Sequence, residues 1–222
     1  MKNYLSLLII AIIMLSGCGS TSTELRYPIP KEASMYEDAE DGLVKRWEIK
    51  DGFSVENVET GANGSDRSIF VKQNWLLDDD GEFLKDENGF AINAAYYELK
   101  INNDKQYVLQ FDKMKIDSDR TYCFTVGAKV DTTNGIRYIS FNTFYDRQHM
   151  EQDSVLLDDD VKEFISPLSM SYVNDTNVWK HIRLDLPKYL HNFEPNNHIL
   201  SVKTFYFQGG NDYLDNIYFT AK

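Results

Sequence analysis

The sequence predicts an all-β protein built as a two-layer sandwich or a barrel, and three observations carry that prediction. Short runs rich in β-branched and aromatic residues recur along the chain, with 14 Tyr and 13 Phe among 222 residues. Clusters of turn residues separate them, such as Asn102-Asn103-Asp104, Asp117-Ser118-Asp119, Thr132-Thr133-Asn134-Gly135 and Gly209-Gly210-Asn211-Asp212. No segment sustains the 3.6-residue apolar period of a long helix.

Eight stretches read as strands in order: Ser68–Lys72, Tyr96–Ile101, Gln106–Ile116, Thr121–Val130, Ile136–Tyr145, Trp179–Leu186, Ile199–Gln208 and Tyr213–Ala221. Successive strand side chains point to opposite sides, so alternation assigns the faces. In Thr121–Val130 the core set is Tyr122, Phe124, Val126, Ala128 and Val130, which leaves Thr125 and Lys129 outside. In Ile136–Tyr145, Ile139 and Phe141 oppose Tyr138, Asn142 and Phe144; in Ile199–Gln208, Phe205 and Phe207 oppose Tyr206 and Gln208. A bulge would invert part of this pattern. The one helical candidate is short, Leu186–Phe193. The run Leu-Leu-Asp-Asp-Asp occurs at Leu76–Asp80 and again at Leu156–Asp160 without wider duplication. The first copy leads into two hairpin turns, Asp80-Gly81 and Asn88-Gly89. The second reads as part of a long loop over residues 150–177.

The opening Met1–Cys18 stands apart, with a basic start at Lys2 and an apolar run from Leu5 to Leu15. That run is about half the roughly 20 residues that span a bilayer, so it reads as a secretory signal. Its ending, Leu15-Ser16-Gly17-Cys18, resembles the lipobox of bacterial lipoproteins. The resemblance implies removal of residues 1–17, acylation of Cys18 (palmitate among the chains) and a membrane-anchored place in the bacterial cell envelope. Gly19 is not the aspartate that commonly retains lipoproteins at the inner membrane, which in a Gram-negative host implies the outer one. Residues 18–33 lack periodicity and contain two prolines, so they read as a tether, with the folded domain over 34–222. With Cys18 acylated only Cys123 remains, which excludes an intrachain disulfide and reads as a packed strand thiol. The formal charge of −12 argues against nucleic acid, whose phosphates need a basic face.

Tyr36-Glu37, then Trp47, then the Gly-rich Gly61–Val71 resemble the opening of galactose-binding-like jelly rolls, which include several families of carbohydrate-binding modules. Val178–Leu186 resembles their penultimate Trp-bearing strand, and Phe205–Phe219 their final hairpin. The resemblance covers most of Tyr36–Lys222 in pattern. It implies a jelly roll whose first and last strands lie side by side, with a structural calcium between them. Carried over by position, its ligands would be Glu37, Asp215 and carbonyls near Gly64–Asp66, the hard oxygens that calcium takes. The same residues also read as a solvated acidic turn, with Asp215 capping a backbone N–H.

Sugar binding needs aromatic faces flanked by polar groups. The outer set Tyr138, Asn142, Phe144, Tyr206 and Gln208, with Thr125 and Lys129 beside it, has that chemistry, and Trp75 is a secondary candidate. Trp47 and Trp179 are assigned to structure. The expected function is therefore a lipid-anchored, non-catalytic glycan-binding protein. The alternative is an adaptor that binds a protein partner through the same face or the acidic loops. A polysaccharide-active enzyme is the third reading, and no His-Glu-x-x-His, Gly-x-Ser-x-Gly or phosphate-loop spacing supports it.

Overall fold

The computed structural model describes residues 27–49, 54–72, 80, 82, 97–116, 124–143, 153–158, 160–172, 174–209 and 211–221. Among them, strands form two sheets that face each other. Sheet A runs in the order β11 (Trp179–Asp185), β6 (Val108–Lys115), β13 (Asp212–Thr220), β4 (Ser68–Val71), β3 (Val55–Val58). β1 (Ser34–Glu37) pairs with the C-terminal half of β13, so the first and last strands are neighbours as the jelly-roll resemblance implies. Sheet B runs β2 (Trp47–Ile49), β5 (Tyr97–Asn103), β12 (Ile199–Gln208), β7 (Thr125–Thr132), β8 (Gly135–Asn142), β10 (Val161–Pro167), β9 (Asp153–Asp158). Every pairing is antiparallel except β8 with β10.

The core follows from alternation. Phe124, Val126, Ala128, Val130, Ile139, Phe141, Phe205 and Phe207 all point into the sandwich and are buried. Phe205 meets Phe111 of sheet A edge-on at 5.5 Å and Trp47 at 6.1 Å, so the two layers lock through aromatic contacts. Among these apolar groups sits an ion pair: Lys113 Nζ lies 2.6 Å from Asp212 and 4.5 Å from the centre of the Phe124 ring. The short helix, α1 (Leu186–Phe193), has the bounds the sequence predicts. The Asp185 carboxylate accepts from the Lys188 N–H at its start, Pro187 stands in the first turn, and Leu186 and Leu190 anchor its inner stripe. At its end Glu194 accepts both prongs of Arg137, at 2.9 and 3.0 Å.

Two expectations need correction, and one irregularity of the last strand places Asp215. The segment read as a long loop over 150–177 instead supplies β9 and β10. Phe164 and Leu168 give it inward anchors, and a strand parallel to β8 satisfies its backbone. Alternation breaks in β13, where the register shifts between Asp215 and Tyr218 and Asn216 adopts φ +48°. That bulge turns Asp215 outward while Leu214 and Ile217 both stay in the core. Finally, the chain joins the domain before residue 34, because Tyr27 and Glu32 already hydrogen-bond to Asn63, Asp112 and Gln106.

Candidate functional site on the outer face of sheet B

Cross-strand register arranges the outer side of sheet B in three rows. Gln208, Thr125, Asn142 and Pro167 form the first, read across β12, β7, β8 and β10. Tyr206, Gly127, Ser140 and Ile165 form the second, and Thr204, Lys129, Tyr138 and Glu163 the third. The six predicted residues that lie within the described chain, Thr125, Lys129, Tyr138, Asn142, Tyr206 and Gln208, thus share one face. Phe144 and Trp75, also predicted, lie outside the described residues, as does Cys18.

The centre of the face is built around a glycine. Gly127 sits between Tyr206 and Ser140, and a Cβ there would come within 2.5 Å of the Tyr206 hydroxyl and nearer still to the Ile139 carbonyl oxygen. The missing side chain lets the Tyr206 ring lie down across β7, where it is only 2% exposed. Its hydroxyl meets Ser140 Oγ at 2.5 Å, and Ser140 in turn donates to the Glu163 carboxylate. An ionised carboxylate can only accept, so the order of donation runs Tyr206 to Ser140 to Glu163. Tyr206 is therefore a fixed polar support rather than the open stacking ring expected of it. Among the described residues the ring left for stacking is Tyr138, half-buried, 6.0 Å from Tyr206 and with Lys129 Nζ 5.5 Å from its centre. Two rows along the same strand, the buried Asn142 Oδ1 finds no hydrogen-bond partner among the described residues. Its amide oxygen is an acceptor of the kind that a hydroxyl can donate to.

Sequence reasoning missed Glu163 and the role of Ser140. Glu163 lies in the segment read as a loop. Ser140 was on the correct face, but nothing in the sequence marks a serine that is covered by a tyrosine two strands away.

The residues present do not fit a calcium shared by Glu37 and Asp215. Glu37 pairs with the core residue Ile217 and points inward, where its carboxylate accepts from the Ala39 N–H and the Trp47 indole N–H, each at 2.9 Å. Burial holds its carboxyl above the usual range, although both N–H donors pull it back. Asp215 pairs with Asp112 on the opposite side of the sheet, and accepts from the Ala62 N–H at 2.8 Å and the Asn216 N–H at 2.7 Å. The bulge at Asn216 sets the two carboxylates on opposite faces. No group of three or more His, Cys, Asp or Glu side chains among the described residues converges as a metal site. The capping alternative describes Asp215 as it stands.

Asp215 has a consequence for stability. Burial pushes its carboxyl up to about 7, with the neighbouring Asp112 adding to it, against the pull of the backbone amides. Between the ordinary Asp range near 4 and that value, the folded chain holds a proton that the unfolded chain releases. Stability conferred by this group is thus full below about pH 4 and lost as pH rises to about 7. Urea unfolding from pH 4 to 8 is expected to show that decline in the wild type and a flatter profile in Asp215→Asn.

Asp112 and His181 pair at 2.9 Å on the outer face of sheet A. The second imidazole nitrogen faces the Gln110 amide oxygen at 3.1 Å, not a hydroxyl or thiol, so the pair activates no nucleophile.

No family model matches the chain, and a search of curated proteins finds no match. Solved structures do align with it. A xylan-binding domain from carbohydrate-binding module family 22 is 13% identical, with 86% of this chain and 97% of that chain covered and a TM-score of 0.45. The C-terminal family 22 module of a Clostridium thermocellum protein is 13% identical, over 87% and 98%, at 0.45. A cleaved adhesin domain of Lys-gingipain from Porphyromonas gingivalis is 14% identical, over 86% and 98%, at 0.43. The chain itself is a β-sandwich.

Proposed function

We propose that this chain is a lipid-anchored, non-catalytic glycan-binding protein of the bacterial cell envelope. The observation that carries the binding half is the supported carboxylate on sheet B. Glu163 is held by Ser140, Ser140 is held by Tyr206, the Tyr138 ring shares the Glu163 row, and the Asn142 amide stands on the far side of the Ser140 row. One ring for sugar C–H surfaces, with a fixed acceptor and an amide for hydroxyls, is the minimum a saccharide site needs. The anchor half rests on the lipobox-like Leu15–Cys18, and Cys18→Ala is expected to leave the chain in the aqueous phase of a detergent partition.

The test is a glycan array probed with the mature chain and with Glu163→Gln. One oligosaccharide class is expected to bind, and Glu163→Gln to weaken it about tenfold, the loss of one charge-assisted hydrogen bond. Equal binding by both chains would remove Glu163 from the site.

A protein-binding adaptor is favoured by a different observation. β9 ends sheet B among the described residues and leaves Val155, Leu156 and Leu157 39%, 64% and 52% exposed. An apolar outer strand of this kind is a pairing surface. If the adaptor reading holds, Leu156→Lys abolishes partner capture and leaves the glycan array unchanged.

A further inference from the structure

The segment ahead of β1 reads in sequence as a tether, yet its residue Tyr27 is seated in a socket on the outer face of sheet A. The Tyr27 hydroxyl donates to Asp112 Oδ2 at 2.6 Å, its backbone N–H donates to Asn63 Oδ1 at 2.7 Å, and its ring lies 4.1 Å from that of His181. Asp112 is fully buried and also accepts from Asn216 Nδ2 at 2.9 Å and pairs with His181. A hydroxyl donated to a buried carboxylate is a strong, directional bond. Gln106 then fastens the following residues, donating to the Glu32 carbonyl at 2.6 Å and accepting from the Ser34 N–H at 3.1 Å.

These contacts change the reach of the anchor. A tether free over residues 18–33 would extend to about 55 Å, enough for the domain to turn over. With Tyr27 seated, residues 19–26 alone separate Cys18 from the domain, a span of at most about 30 Å. The chain also leaves from a defined side, since Asp112 and His181 belong to the face of sheet A turned away from sheet B.

We propose that Tyr27 is an orienting latch: it holds the outer face of sheet A toward the lipid surface and turns the Tyr138–Glu163 face of sheet B away from it, toward ligands outside. This rests on the anchoring reading above, and goes beyond it by assigning which face meets the membrane.

The test uses the full mature chain in vesicles that carry an acceptor-labelled lipid, in a Cys123→Ser background. A donor dye is placed on Arg183→Cys, on the outer face of β11, or on Lys100→Cys, on the outer face of β5. Two sheets packed about 10 Å apart, with side chains on both, separate the two dyes in depth. Energy transfer is expected to be at least twofold higher from position 183 than from position 100. Tyr27→Ala is expected to bring the two positions to equal transfer, and Tyr27→Phe, which keeps the ring on His181, to move them part of the way. Equal transfer from both positions in the wild type would overturn the latch with anchoring intact. No transfer from either would overturn the anchor, and the orientation with it.

Discussion

Replacing Lys113 with methionine is expected to destabilise the protein by about 3–5 kcal/mol, the effect of deleting one member of a buried ion pair. Lys113 and Asp212 are 1% and 0% exposed, and lie 2.6 Å apart on the inner side of β6 and β13. Methionine keeps the apolar stem that packs beside Phe124. What it removes is the ammonium 2.6 Å from Asp212, so that carboxylate loses the charge of Lys113 inside the sandwich. Burial already holds the Lys113 ammonium below the usual lysine range despite the pull of Asp212, so the pair stands near the limit of what its surroundings tolerate. The double variant Lys113→Met with Asp212→Asn is expected to recover most of the loss, because both charges of the pair are removed together. Guanidinium unfolding of the three chains measures this; a single variant within about 1 kcal/mol of wild type would show that water or another group compensates Asp212.

Gly127→Ala is expected to be the most damaging one-carbon change on the candidate face. The added methyl would meet the Tyr206 ring and the β8 backbone at once. The backbone of a central strand cannot retreat, so Tyr206 must lift from Ser140. Overpacking of this kind costs about 1–3 kcal/mol in stability. The functional loss should be larger than that of Tyr206→Phe, which keeps the ring in place and deletes one hydrogen bond. Ser140 would lose the Tyr206 hydroxyl in both, but only Gly127→Ala would also displace the surface beside Tyr138. Thermal unfolding and binding of the array-selected oligosaccharide, measured on both variants, separate the two. Equal binding by Gly127→Ala and wild type would mean that the Tyr206–Ser140–Glu163 chain takes no part in recognition.

Most of the sandwich was legible because its central strands alternate without interruption. The runs around Val126, Phe141 and Phe205 each carry several inward apolar residues in strict period two, and such runs have one way to bury themselves. Helix α1 was legible as the one short helical candidate, Leu186–Phe193, with the bounds that the structure shows. The misses share a cause: contacts between residues far apart in sequence. Nothing local marks Val161–Pro167 as a strand. Of its residues only Phe164 joins the buried core, and β8 supplies the pairing that stabilises it. Glu163 was lost with it. Tyr27 sits in a proline-containing stretch with no period, and its partners Asn63, Asp112 and His181 come from three separate elements. The Glu37–Asp215 pairing failed for a different reason. Sequence places both residues at adjoining strand ends, correctly, but the left-handed Asn216 between Asp215 and Ile217 decides which way each carboxylate points.

The most direct measurement of the central claim is a backbone amide shift map of the mature chain titrated with the oligosaccharide that the array selects. Perturbations are expected to concentrate on Lys129, Tyr138, Ser140, Asn142 and Glu163, with the outer face of sheet A unmoved. Shifts confined to sheet A or to α1, or no saturable shift with any glycan, would contradict the assignment of this face as a saccharide site.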